Sequence, residues 1–248
     1  MVSLSGKKMV VIGGSRGIGR RVAEAGICNG AHVLAVARQK GPLEQLAREV
    51  QGVTILDLDA TEEAAPSKVF DVVEPDILVL GGGVFPPAVP LYEQSWQEFA
   101  VNWESDVKIA FHFCKAALLR PLAPDSSVVL ISSCAAFTGS PLSGGYAGSK
   151  RTQMFIANYS QKESDRLGLG LRFMTIAPRI IPDSKLGQHV VAGYSRYLGL
   201  TAAEFVKGMA APPSSCNVAS AVIELVLSPD RSLGDLFLVS GRGLEAVT

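Results

Sequence analysis

Seven short apolar runs, separated by longer stretches of helical periodicity, constrain the fold of this chain more than any other feature. The runs cover residues 9–12, 32–37, 53–58, 76–80, 127–132, 171–177 and 235–239. Several are apolar on successive residues rather than alternate ones, the pattern of strands buried on both faces. Helical spacing fills 19–29, 42–50, 62–70, 96–119, 146–167 and 215–227. Strict alternation without a polar linker predicts an α/β architecture: one doubly wound, seven-stranded parallel sheet with helices on both faces. Residues 1–248 then form a single domain. Its one departure from alternation, about 180–213, is expected to be a helical flap over the strand ends, where such sheets bind ligands.

Composition excludes several classes. Lys and Arg total 23, as do Asp and Glu, so net charge draws the chain neither to nucleic acid nor to an acidic membrane surface. No apolar run nears the ~20 residues of a spanning helix. The first strand begins near Lys8, too early for a signal peptide, and a cytoplasmic protein is expected. Cys28, Cys114, Cys134 and Cys216 form no CxxC pair and read as buried free thiols. His32, His112 and His189 lack metal-ligand spacing, so no metal site is expected.

Gly13-Gly14-Ser15-Arg16-Gly17-Ile18-Gly19 follows the first strand and opens the first helix. Gly13 permits a tight turn, Gly17 a close backbone approach to phosphate, and Gly19 close helix–strand contact. The helix N-terminus then faces a pyrophosphate. Location carries this reading, since many glycine-rich stretches are plain turns. A Rossmann-type dinucleotide site is expected. A carboxylate ending the second strand would bond a ribose 2′-hydroxyl and repel a 2′-phosphate. Ala37 stands there instead, followed by Arg38 and Gln39, with Arg16 in the turn and Lys40 nearby. Two guanidinium groups converging there predict NADP(H); solvated surface charges are the plain alternative. Asp59 and the Ala60 backbone are candidates for the adenine. Gly81, Gly82 and Gly83, after the fourth strand, let backbone approach the cofactor.

Tyr146 and Lys150 stand one helical turn apart and share a face. A free tyrosine has a pKa near ~10, and a neighbouring ammonium favours its ionised form. Ser133, at the end of the fifth strand, is positioned to hydrogen-bond a substrate oxygen. A lone Tyr-x-x-x-Lys is a weak signal; the serine and the upstream glycine turn make it specific.

In these residues the chain resembles the short-chain dehydrogenase/reductase family, of the compact carbonyl reductase or ketoreductase type, over residues 8–242. The resemblance implies that Tyr146 is the general acid/base, that Ser133 positions the carbonyl, and that Lys150 holds the nicotinamide ribose and lowers the tyrosine pKa. It implies that Asn102, in Phe99-Ala100-Val101-Asn102, anchors a water in a proton relay from Lys150. It also implies that helices 96–119 and 146–167 pair across subunits in a dimer or tetramer; a monomer with ordinary amphipathic helices is the alternative. Three departures stand out. Leu80-Gly81-Gly82-Gly83 replaces the family's Asn-Asn-Ala-Gly, Pro178-Arg179 replaces Pro-Gly, and Asp183 with Ser184 replaces a threonine expected to hold the cofactor amide. Arg179 is a candidate for a substrate carboxylate or phosphate, or for the cofactor pyrophosphate. Solvent, or a pair with Asp183, is its alternative partner.

Val84, Phe85, Phe137, Leu142, Val190, Tyr194 and Leu198 are the expected lining of a largely apolar substrate pocket, which favours an aryl or alkyl ketone or a 3-oxoacyl group. The expected activity is NADPH-dependent reduction of a small-molecule ketone or aldehyde to an alcohol, reversible in principle. Oxidation by an NADP-dependent alcohol dehydrogenase, or a non-catalytic NADP-binding regulator, are the alternatives.

Overall fold

The computed structural model describes residues 3–230 and 235–247. In the first half, β1 (Lys8–Ile12), α1 (Gly17–Cys28), β2 (His32–Ala37), α2 (Lys40–Glu49), β3 (Thr54–Asp57), α3 (Ala65–Val72) and β4 (Ile77–Leu80) alternate strictly. A short helix α4 (Trp96–Ala100) then leads through a π-helical turn (Trp103–Val107) into α5 (Lys108–Leu119). The second half carries β5 (Ser127–Ile131), α6 (Ala135–Thr138), α7 (Gly144–Leu167), β6 (Arg172–Pro178), α8 (Lys185–Leu198), α9 (Ala202–Lys207), α10 (Ser215–Leu227), β7 (Leu236–Ser240) and β8 (Gly243–Ala246).

Strand order among the described residues is β3-β2-β1-β4-β5-β6-β7-β8. Neighbours from β3 to β7 pair in parallel, whereas β8 pairs antiparallel to β7. The expected seven parallel strands are present, and an eighth adds to them. The tail of the chain is short and half polar, so it lacked the apolar run that marks the others. A tight turn at Gly241-Arg242 brings it back along β7, with Gly243 opposite Ser240.

Burial on both sheet faces explains the apolar runs. Val11 and Ala35 face one layer, with Val22 of α1, Leu43 of α2 and Val222 of α10. Their neighbours Val10 and Leu34 face the other, with Phe70 of α3, Phe113 of α5 and Ala157 of α7. Successive strand residues therefore feed opposite cores. Chain order reverses between β1 and β4, whose ends align at Ile12 and Leu80. The crevice that opens there is the ligand position of a doubly wound sheet.

Two other expectations need correction. The single helix 96–119 is interrupted: Ser95 and Glu98 cap α4 reciprocally, and the chain then widens into the π-turn before α5 starts. Asn102 O accepts from both Asp106 N and Val107 N, at 2.8 and 3.3 Å, which is how the extra residue is accommodated. The cysteines are free, but Cys28 and Cys216 are exposed, Cys134 is half-buried, and Cys114 alone of the four is buried.

Phe113 is fully buried and meets Phe70 edge-on, with ring centroids 6.1 Å apart. Phe113→Ala is expected to lower the unfolding free energy by about 3–5 kcal/mol, read from the urea midpoint at unchanged slope.

Candidate active site

A cavity of about 750 Å³ opens at the ends of β1 and β4 and runs beneath α8. At one end lies the first turn. Gly13 has φ +82°, and a Cβ there would stand 2.7 Å from Gly82 Cα. A Cβ on Gly19 would run into the Gly13 carbonyl oxygen. The two glycine turns are thus in backbone-to-backbone contact. Gly17 has φ +53° with open space on its Cβ side, and Arg16, the N-cap of α1, makes no side-chain capping bond. The first amides of α1 are left for an anion. Cradle, helix end and cavity size fit a dinucleotide, which Gly13, Ser15, Gly17, Ile18 and Gly19 would hold by its pyrophosphate.

Arg16 and Arg38 both line this cavity, along with Gln39, Asp59 and Ala60. Each guanidinium already has a neighbour, a difference from two free groups converging on one point. Arg16 lies over the Phe85 ring, 5.3 Å from its centroid, and Arg38 Nη1 is 3.9 Å from Asp59 Oδ2. Asp59 stays below the usual carboxylate range. Burial pushes it up, but bonds from the Thr61 amide and hydroxyl, and then the Arg38 charge, outweigh that.

Deeper in, α7 presents Tyr146 and Lys150 on one face. The Lys150 ammonium is 5.6 Å from the Tyr146 ring centroid and donates to Ile131 O at 3.1 Å. Ser133, just beyond β5, stands beside the phenol and acts to lower its pKa, and its own Oγ accepts from Ala135 N at 3.2 Å. The three residues singled out in the sequence therefore meet at one point of the cavity wall.

Asn102 does not join them. It is fully buried and lies off the cavity wall, and its Nδ2 donates to Val84 O at 2.8 Å. The group that meets Lys150 is Asp106, one turn later, with Oδ2 3.0 Å from the ammonium and only 2% of its side chain exposed. The wide turn at Trp103–Val107 swings this carboxylate inward. Space for it exists because Gly83 has no side chain: a Cβ there would be 2.7 Å from both carboxylate oxygens. Sequence reasoning missed Asp106. Its signal was an acidic residue four after Asn102, on a helix that buries that face.

Charge balance around the phenol also differs from expectation. Burial pushes the Tyr146 pKa up; Lys150 pulls it down, Asp106 pushes it back, and Ser133 lowers it again. The net shift is upward, although Lys150 acts in the expected direction. For Lys150 itself, burial would lower the pKa, but the Asp106 and Tyr146 charges and the Asp106 hydrogen bond leave it raised.

The family model described as short chain dehydrogenase matches residues 7–194. This chain belongs to the short-chain dehydrogenase/reductase family. Short chain dehydrogenase/reductase AacuD of Aspergillus aculeatus is 27% identical over 220 residues, 85% of this chain and 76% of that protein. The NADP-dependent (R)-specific alcohol dehydrogenase of Lentilactobacillus kefiri is 23% identical over 187 residues, 72% of this chain and 74% of that one. A crystal structure of a short-chain dehydrogenase/reductase from Brucella melitensis, described as glucose/ribitol dehydrogenase, has the same fold. It aligns with a TM-score of 0.78 at 22% identity over 96% of each chain.

The part of the cavity wall where substrate-lining residues were expected has its own character. Val84, Phe85, Leu142, Val190 and Tyr194 line it. Phe137 and Leu198 do not: both are exposed and lie outside the wall. Ser140, unremarked in the sequence, hydrogen-bonds the Tyr194 hydroxyl and lies 3.0 Å from Ser143 Oγ. Phe85 stacks on His189 of α8 with centroids 6.0 Å apart, and His189 Nε2 donates to Pro86 O at 2.8 Å. Arg179 and Pro178 line the cavity, Arg179 with an exposed side chain. Asp183 does not pair with Arg179. It accepts from Ser215 Oγ at 3.0 Å and from Ser215 N at 3.2 Å, tying the flap to α10. Ser184 caps α8 by accepting from Gly187 N at 2.9 Å.

Gly19→Ala sets a methyl group against the Gly13 carbonyl oxygen, with no flexible side chain to give way. A loss of at least about tenfold in dinucleotide affinity is expected (~1.4 kcal/mol,), measurable by calorimetric titration of the folded variant with NADPH.

Proposed function

We propose that the chain is an NADPH-dependent carbonyl reductase that converts a small ketone or aldehyde to its alcohol, reversibly. The observation that carries this is the meeting of Ser133, Tyr146 and Lys150 on the wall of one cavity that also contains the glycine cradle. A bound nicotinamide supplies the hydride chemistry. Ser133 orients the carbonyl oxygen, and Tyr146 gives that oxygen its proton. Lys150, raised in pKa and so charged at neutral pH, is the group to bond the nicotinamide ribose. Arg16 and Arg38 on the cavity wall support the phosphorylated cofactor, as does the NADP dependence in the name of the Lentilactobacillus relative. Arg179, exposed at the cavity and not tied to Asp183, is the candidate contact for an acidic substrate group or the pyrophosphate.

The chain is read as one catalytic domain with α8 and α9 as its substrate flap. Association into a dimer or tetramer through α5 and α7 is part of this reading. Phe111, Phe155 and Tyr159 stand on those helices with 50%, 43% and 59% of their surface exposed.

Tyr146→Phe is expected to lower the turnover of a ketone panel by about 10²–10⁴-fold, followed by NADPH absorbance. Turnover retained in that variant would remove Tyr146 as the acid. Arg38→Asp should raise the KM for NADPH by roughly tenfold or more, since one charge-assisted bond is lost, and should leave NADH turnover nearly unchanged. The raised phenol sets the pH behaviour. Below its pKa Tyr146 carries the proton that reduction consumes, so the reductive rate holds through neutral pH. Oxidation needs the ionised phenol, and its rate is expected to climb as pH rises above the ordinary tyrosine value of ~10.

A further inference from the structure

The buried carboxylate beneath the catalytic pair has no part in the reading above. Asp106 arrives on a π-turn, is 1% exposed, and has polar partners at both carboxylate oxygens. Oδ1 accepts from Val84 N at 3.2 Å and lies 3.5 Å from Asn102 Nδ2. Oδ2 is 3.0 Å from the Lys150 ammonium. The Gln153 amide donates to the Asp106 carbonyl at 3.0 Å, so the backbone is anchored to α7 as well. Gly83 leaves the room it occupies. An unpaired carboxylate at this depth would be strongly disfavoured; paired and hydrogen-bonded, it is a fixed negative charge close to the phenol.

We propose that Asp106 is a positioning residue that clamps the Lys150 ammonium and keeps the proton on Tyr146, so that the resting site is set as an acid. The inference rests on reading Tyr146 as the proton donor. The charges around it are few. From α7 come Lys150 and Tyr146 themselves. From the segment after β5 comes the Cys134 thiol, with the Arg179 charge acting on it from the end of β6. On the π-turn and the start of α5, Glu104 and Lys108 pair with each other at the surface. Lys150 favours the ionised phenol and Asp106 opposes it. Burial already holds the phenol's pKa up, and the carboxylate adds to it by offsetting, through a direct ion pair, the pull of the ammonium toward the ionised form.

Ultraviolet titration of tyrosinate in the full chain tests this without any substrate. The chain has 5 tyrosines, so the difference between each protein and its Tyr146→Phe counterpart isolates the one in question. In Asp106→Asn the Tyr146 midpoint is expected to fall by about one pH unit, roughly tenfold in proton affinity. Asp106→Glu, which keeps the charge, is expected to restore most of it. An unmoved or higher midpoint in folded Asp106→Asn overturns the proposal. Should that variant fail to fold by circular dichroism, Asp106→Ser is titrated in its place. Failure of both to fold would mean that the carboxylate serves the fold alone, and would also overturn the proposal. Because no turnover is needed, a protein inactive on every ketone refutes the carbonyl reductase reading and leaves this result standing.

Discussion

The contact on which the site depends is between two pieces of bare backbone. Where β1 and β4 end side by side, Gly13 meets Gly82 closely enough that a single added methyl group would overlap. Parallel strands in register bring their C-terminal turns to the same level, and a side chain at Gly13 would wedge them apart. With the turns in contact, α1 starts at the floor of the crevice and its free amides face inward. Gly83 continues the same theme on the other side, yielding its side-chain volume to Asp106. Two glycines therefore answer to two separate crowding problems, Gly13 toward the turn after β4 and Gly83 toward the π-turn.

Electrostatics in the inner half follow from burial. Ser133, Tyr146, Lys150 and Asp106 form a short chain of polar groups between the cavity and the inner side of α5. Taken out of water, each charge in it acts strongly on the next. Lys150 alone would favour the phenolate; desolvation and the carboxylate behind it reverse the balance. A buried ion pair of this kind is poor support for stability. Its effect here is on which atom holds a hydrogen.

Most of the architecture was legible because β–α alternation is written in hydrophobic runs, and burial on both sheet faces makes those runs unambiguous. What escaped was short or irregular. β8 has four residues, of which Leu244 alone carries a large apolar side chain. The break between α4 and α5 shifts the helical register by one residue, a phase change that the few apolar positions of short α4 do not reveal. That break also hid Asp106: the resemblance pointed to Asn102, in Phe99-Ala100-Val101-Asn102, and the wide turn brings the carboxylate four residues later against Lys150. Phe137 and Leu198 were expected in the pocket for being apolar and nearby in sequence, whereas pocket membership is a matter of direction.

Phe85 lies between the cofactor turn and the flap, facing Arg16 on one side and His189 on the other. With His189 also bonded to the Pro86 carbonyl, the roof of the crevice is fastened to a residue of its floor through one aromatic ring. An outward swing of α8 has to part the imidazole from that ring and from its carbonyl partner in the same movement.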